Sequence, residues 1–119
     1  MVTKSILKVP IYDFTIYINI FDDWDEVSKY YNKTVNSNDE REGFLIINKD
    51  DITKLKFFVN SECPSCIIHE IVHIKNIIFD VIHYIPNSDN DEPEAYLVQY
   101  LYKEIFKVLE KHNKDITKK

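Results

Sequence analysis

Apolar and polar residues alternate along two short stretches of the chain and a third stretch is a short apolar run, and these patterns predict three β-strands. In the first strand the apolar positions are Phe14, Ile16, Ile18 and Ile20. The second strand is the apolar run 44–47, and the third contains Leu55, Phe57 and Val59. Because residues 48–51 have turn-forming chemistry, we expect the second and third strands to form a hairpin.

Apolar positions at intervals of three and four predict helices over about residues 23–35, 63–84 and 91–112. Asp23 is the expected N-cap of the first helix, with Glu26 as its capping-box partner. The order of elements is therefore β-α-β-β-α-α. This order predicts an α+β fold with a small, mainly antiparallel sheet.

Length and charge narrow the class of protein. The 119 residues predict one domain spanning residues 1–119. With 15 Lys+Arg against 20 Asp+Glu the net charge is -5, which argues against a general nucleic-acid binder. No apolar stretch approaches the roughly 20 residues that span a bilayer, and the first ten residues lack the apolar core of a signal peptide. We therefore expect a cytoplasmic protein with no membrane partner.

An HExxH motif lies inside the second predicted helix, at residues 69–73. Residues four apart on a helix differ in direction by about 40°, so His69 and His73 project from one face, one turn apart. Two imidazoles at this spacing can bind one Zn²⁺ at about 2.0–2.1 Å each. Glu70 can act as the general base toward a water on the metal. Two histidines that only pack on a partly buried helix face would give the same HExxH sequence. A third metal ligand therefore decides between a zinc site and a structural role for these histidines.

Glu92 and Glu94, at the start of the last helix, are the candidates for that third ligand. Catalytic zinc sites of the His₂Glu type take a glutamate from a second helix. If Asp91 is the N-cap, Glu94 can bond back to the cap amide, and Glu92 is left free. The alternative role for Glu92 is to complement the helix dipole.

The combination of HExxH with a downstream ExxA at a helix start resembles the gluzincin-type zinc metallopeptidases. It is similar in particular to the small zincin-like proteins encoded by phages and to the ImmA/IrrE-type metallopeptidases. The resemblance covers residues 63–102 and implies that Glu92, the first residue of the ExxA string that ends at Ala95, is the third ligand. Tyr96 stands where many relatives carry Asp or Asn. The resemblance further implies a minimal zincin-like fold, with HExxH on the fifth element, and a phage-encoded protein acting in the host cytoplasm.

Cys63 and Cys66 form a CxxC pair at the start of the HExxH helix. A Cys₂His₂ zinc site with His69 and His73 is disfavoured, because ten residues of helix span about 15 Å. In a reducing compartment we expect both cysteines to be free thiols. A redox dithiol is the other interpretation, but the sequence lacks the βαβ context that such a motif usually has.

The leading hypothesis is zinc-dependent peptide hydrolysis by a metallopeptidase. Zn²⁺ on His69, His73 and Glu92 activates a water, which attacks a peptide carbonyl with Glu70 as general base. The partner is then a peptide or protein substrate, which an edge strand such as 44–47 could hold by strand addition. The alternative is a non-catalytic zincin-fold module that captures a protein partner, and a CxxC redox protein is a third hypothesis. The sequence leaves the oligomeric state open.

Overall fold

The computed structural model describes residues 2–23, 25–27 and 43–117. The strands and helices named below are β1 (Val2–Val9), β2 (Phe14–Phe21), β3 (Gly43–Ile47), β4 (Lys54–Asn60), α1 (Pro64–Val81) and α2 (Glu92–Thr117). Among the described residues, neither helix is apolar over enough of its length to cross a lipid bilayer.

The strands form one mixed sheet in the spatial order β1-β2-β4-β3. The outer pairs, β1 with β2 and β3 with β4, are antiparallel, whereas the central pair of β2 and β4 is parallel. The α+β class and the hairpin of β3 with β4 are thus confirmed. The description of the sheet as mainly antiparallel is replaced by a mixed sheet, because its central pair runs in parallel.

The predicted order missed the first strand, so the described elements follow the order β-β-β-β-α-α. In β1 the less exposed positions include Thr3, Ser5 and Leu7, and these alternate with Lys4 and the exposed Ile6. This strand therefore half-buries two polar residues and exposes an apolar one, which hides the period of two that marks β2. HExxH lies on the fifth described element, α1.

The start of the predicted helix 23–35 is present. The Asp23 carboxylate accepts a bond from the Asp25 amide at 3.0 Å, and residues 25–27 are helical. This is the side-chain cap expected of an N-cap aspartate. The continuation of this helix to residue 35 lies outside the described residues.

The main core lies between one face of the sheet and the two helices. From the sheet it contains Val9, Phe14, Ile16, Ile18, Ile20, Leu55, Phe57 and Val59. From the helices it contains Ile67, Ile71, Ile74, Ile78, Phe79, Leu97, Leu101, Ile105 and Leu109. The opposite face of the sheet carries a smaller cluster of Phe21, Val27 and Phe58. Because α1 buries one side on the sheet, its other side is free to carry polar groups.

A Schellman-type turn ends α1 three residues before the predicted end at Tyr84. The Tyr84 amide donates to the Phe79 carbonyl at 2.9 Å, and the His83 amide donates to the Asp80 carbonyl at 3.3 Å. The Tyr84 ring also packs on Phe79, with ring centroids 4.8 Å apart. His83 has a φ of 58°. It therefore occupies the left-handed position after the helix that glycine usually fills.

A polar network ties α2 to the sheet. His112 is fully buried, with 0% of its surface exposed. Its Nε2 lies 2.7 Å from Asp22 Oδ1, and its Nδ1 lies 2.6 Å from Thr3 Oγ1. Ser61 donates to the same Asp22 oxygen at 2.5 Å. Burial alone would raise the pKa of Asp22, but the hydrogen bonds from Ser61 and His112 outweigh it and hold that pKa below its ordinary value.

Candidate metal centre

The two histidines of the HExxH motif lie side by side on the exposed side of α1, where their Nε2 atoms are within hydrogen-bonding distance of each other. His69 and His73 are both exposed, and their Nε2 atoms lie 3.3 Å apart. Two nitrogen ligands of a tetrahedral zinc ion, each about 2.0–2.1 Å from the metal, are separated by about 3.3–3.4 Å. The pair therefore fits two corners of a zinc site, as the helical spacing predicted.

Glu70 lies between the histidines in sequence but on a different side of the helix. Only 6% of its surface is exposed. It packs beneath the start of the edge strand β3, where a Cβ built on Gly43 would lie 3.4 Å from Glu70 Cγ and 3.1 Å from the Phe58 carbonyl oxygen. Its Cγ therefore lies where the motif helix meets the start of β3.

Gly43 is the site residue that the sequence reasoning missed. It is the chain's single glycine. A side chain there would crowd the Phe58 carbonyl oxygen of β4 and would meet Glu70 Cγ and the Cys66 Cβ, at 3.6 Å, in ordinary contact. The signal was available in the composition, because one glycine in 119 residues marks a place where two backbones or a backbone and a helix come close.

The two candidates for the third ligand occupy different surroundings. Glu94 is engaged by Lys75 of α1, whose Nζ donates to Glu94 Oε2 at 2.7 Å. An ion pair therefore replaces the capping bond predicted for Glu94. Asp91 does begin the helix, since its carbonyl accepts the Ala95 amide at 2.9 Å. Glu92, the first residue of α2, is exposed.

The described residues do not assemble a complete metal-binding set. Among the described residues, no group of three or more His, Cys, Asp or Glu side chains is placed to hold a metal ion. The histidine pair fits zinc, and the third ligand remains a prediction. A cavity of about 550 Å³ lies beside the motif, between α1 and α2. Its lining includes Ile68, Val72, Lys75, Val98 and Tyr102.

Cys63 and Cys66 are joined by a disulfide, so the expectation of free thiols is wrong. The three-residue spacing at the start of α1 brings their Cα atoms to 5.4 Å, within the range that a disulfide spans. Local helix geometry therefore permits the bond without help from the rest of the fold. As a disulfide, the pair offers no thiolate to a metal, in keeping with the prediction that these cysteines are not zinc ligands.

The interpretation of this site rests on its own geometry, because comparisons of the chain with protein-family models, with curated proteins and with solved structures found no match.

Proposed function

We propose that this protein is a zinc-dependent peptidase in which His69 and His73 hold the metal, with Glu92 as the third ligand and Glu70 as the general base. The observation that carries the proposal is the 3.3 Å separation of the two Nε2 atoms. A second observation supports it: Glu70 is buried next to the start of β3. Two surface histidines without a metal would not require a buried glutamate between them in the sequence.

Each residue then has a defined task. A zinc ion bound to the histidine pair would supply Lewis acidity toward the peptide carbonyl and lower the pKa of a bound water. Glu70 accepts the proton of the attacking water and donates it to the leaving amine. Glu70 is buried where α1 meets the start of β3, next to His69 in the sequence.

The edge strand and the neighbouring cavity suit a peptide substrate. In the strand order β1-β2-β4-β3, β3 pairs with β4 on one side and is the last strand formed by the described residues on the other. An extended peptide can add to such an edge through main-chain hydrogen bonds. Gly43, at the start of β3, lies directly over Glu70. A peptide paired with this edge would therefore pass close to the proposed base.

The test is to measure zinc content and peptide cleavage in three proteins: the wild type, His69→Ala and Glu70→Gln. We expect near-stoichiometric zinc in the wild type and in Glu70→Gln, and a loss of zinc in His69→Ala. Cleavage of an unbiased peptide library should fall in Glu70→Gln by on the order of 10²–10⁴, the range for a general base. Metal-free wild type after supply of zinc would refute the metal site, and equal cleavage by Glu70→Gln would refute the role of the base.

A zinc-binding module that captures a protein partner is the second candidate. It is favoured by one observation, that no set of three ligands is assembled among the described residues. A partner's carboxylate or imidazole would then complete the coordination of the histidine pair. Zinc bound to a folded wild type that cleaves no peptide of the library would favour this function over the peptidase.

A further inference from the structure

We propose that Cys63 and Cys66 form a reversible thiol–disulfide exchange site, in which Cys63 reacts with an external thiol donor and Cys66 resolves the intermediate. This activity is separate from the proposed peptidase and needs no metal. It assigns a role to the CxxC motif, which the metal centre does not use.

In the fold the motif lies between a strand and a helix, and α1 leads into α2, so the βαβ context that the sequence lacked is not formed by the described residues. The motif directly follows β4, a central strand that runs parallel to its neighbour β2. The Cys63 amide bonds back to the Asn60 carbonyl at 3.0 Å, so the chain turns sharply from the strand into α1. Cys63 is the N-cap of α1, and Cys66 lies in its first turn. A strand that runs into a CxxC at a helix N-terminus is the arrangement in which cysteines exchange disulfides, because the helix N-terminus stabilises a thiolate.

The two sulfurs differ in their surroundings. The Cys63 sulfur contacts the Ser65 hydroxyl at 3.7 Å on the exposed side of the turn. Cys66 packs against the main core and lies under Gly43 of β3. An incoming thiolate must approach a disulfide sulfur in line, so access decides which sulfur reacts. Both residues are half-buried, but Cys66 is the one that packs against the core and under Gly43, so Cys63 is the sulfur more open to a donor.

The exchange is balanced in atoms and electrons. A donor thiolate attacks the Cys63 sulfur, the bond between the two cysteines breaks, and its electron pair leaves on Cys66, which takes up a proton. A second donor thiolate attacks the donor sulfur of the mixed disulfide and releases Cys63 as a thiolate. The Cys63 thiolate then takes up a proton as well, so two donor thiols become one disulfide and the protein gains two electrons and two protons. In the reverse direction the Cys66 thiolate attacks the Cys63 sulfur of the mixed disulfide, re-forms the bond between the two cysteines and expels the donor thiolate.

The first test is equilibration of the full chain in glutathione buffers that range from fully reduced to fully oxidised, followed by alkylation and mass measurement. Chelator is present throughout, so that thiols cannot be held by zinc. We expect a reversible transition between the disulfide and the dithiol within this range. A pair that stays oxidised in reduced glutathione is a structural disulfide, and a pair that stays reduced in oxidised glutathione is no exchange site. Either result would overturn the proposal.

The second test uses two matched single variants, Cys66→Ser and Cys63→Ser, each treated with oxidised glutathione. Cys66→Ser should accumulate a mixed disulfide on Cys63 at least about tenfold faster than Cys63→Ser accumulates one on Cys66, because access to the sulfur limits the exchange rate. Circular dichroism checks that both variants remain folded. Equal rates in two folded variants, or a faster reaction at Cys66, would overturn the assigned roles.

Discussion

At the scale of single residues, His112 shows how a buried ionisable group is accommodated. The imidazole is fully enclosed, yet both ring nitrogens have partners, Asp22 on one side and Thr3 on the other. The pairing assigns the proton to Nε2, because a carboxylate oxygen can only accept. Ser61 donates to the same carboxylate, so removing any member leaves a buried group unsatisfied.

Asp22→Asn should destabilise the protein by about 1–3 kcal/mol at pH 7, the usual effect of leaving a buried partner unsatisfied. Folding lowers the pKa of Asp22. Its stabilising contribution is therefore complete above the ordinary carboxyl pKa of about 3.9 and is lost as the pH falls through the lower folded-state value. Urea denaturation at pH 7 and pH 3 measures this.

The exposed Asp50→Asn is the control for this substitution, and its effect should stay within about 0.5 kcal/mol. A destabilisation of Asp22→Asn that persists unchanged far below the folded-state pKa would show that packing, and not the charged hydrogen bonds, is responsible.

Glu92→Ala should lower zinc affinity by at least on the order of tenfold. Mutation of a residue that hydrogen-bonds to a metal ligand already has an effect of this size, and loss of the ligand itself should cost no less. Glu94→Ala is the matched control and should change zinc affinity little, because that carboxylate pairs with Lys75. Competition against a fluorescent zinc chelator measures both constants. The reverse order would move the third ligand to Glu94.

At the scale of secondary structure, the turn that ends α1 has one unfavourable residue in an otherwise regular arrangement. The backbone bonds of Tyr84 and His83 are those of a Schellman motif, but His83 is a non-glycine residue with a φ of 58°. A Cβ in the left-handed region costs about 1–2 kcal/mol. The exposed imidazole gains nothing visible in return.

His83→Gly should raise the free energy of unfolding by about 0.5–1 kcal/mol. It removes the steric cost of a Cβ at positive φ, and the greater conformational entropy of glycine in the unfolded chain offsets only part of that gain. His83→Ala is the matched control, since it removes the imidazole and keeps the Cβ, and we expect no gain from it. The midpoint of urea denaturation measures both. A gain in His83→Ala equal to that in His83→Gly would show that the imidazole itself is unfavourable.

The elements that could be predicted from the sequence are those whose side chains follow one strong period. β2 shows a clear alternation, and both helices show the three-and-four spacing, so these elements were found. β1 was missed because Thr3 and Ser5 face inward while Ile6 faces out. The parallel pairing of β2 with β4 could not be predicted, since no local pattern records which strands become neighbours.

The candidate site divides in the same way. The histidine pair depends on one helical turn, so HExxH alone predicts the convergence of His69 and His73. Gly43 and Glu70 meet only through the sheet, and that contact is invisible in the sequence. Free thiols were predicted wrongly for Cys63 and Cys66 because that expectation followed from a reducing compartment. The separation of 5.4 Å between their Cα atoms follows instead from local backbone geometry.

At the scale of the whole molecule, the fold depends on two helices covering one face of a four-stranded sheet formed by the described residues. α2 contributes Leu97, Leu101, Ile105 and Leu109 at helical spacing, which gives one continuous apolar stripe. Its opposite face carries exposed charged residues. The stability of α2 therefore comes from tertiary packing more than from helix propensity.

Ile105→Ala should cost about 2–5 kcal/mol of unfolding free energy, because it opens a cavity at a fully buried position. Ile85→Ala is the matched control, since Ile85 is 86% exposed in the connection between the helices, and its effect should stay within about 0.5 kcal/mol. Guanidinium denaturation measures both. Equal costs would contradict the packing of α2 on the sheet.

The bond between Thr3 and His112 joins residues 109 positions apart in the sequence. During translation at about 5–20 residues per second, the ribosome makes His112 roughly 5–20 seconds after Thr3. Throughout that interval the nascent chain contains Asp22 and Ser61 but lacks the His112 imidazole that later hydrogen-bonds to Asp22. The hairpin of β1 with β2 can form early, but its hydrogen bond to α2 through Thr3 forms only after the last turns of α2 have been synthesised. A shortened chain that ends before residue 112 would therefore lack the imidazole that joins Asp22 to Thr3, and its hairpin of β1 with β2 would be a target for the cell's quality-control proteases.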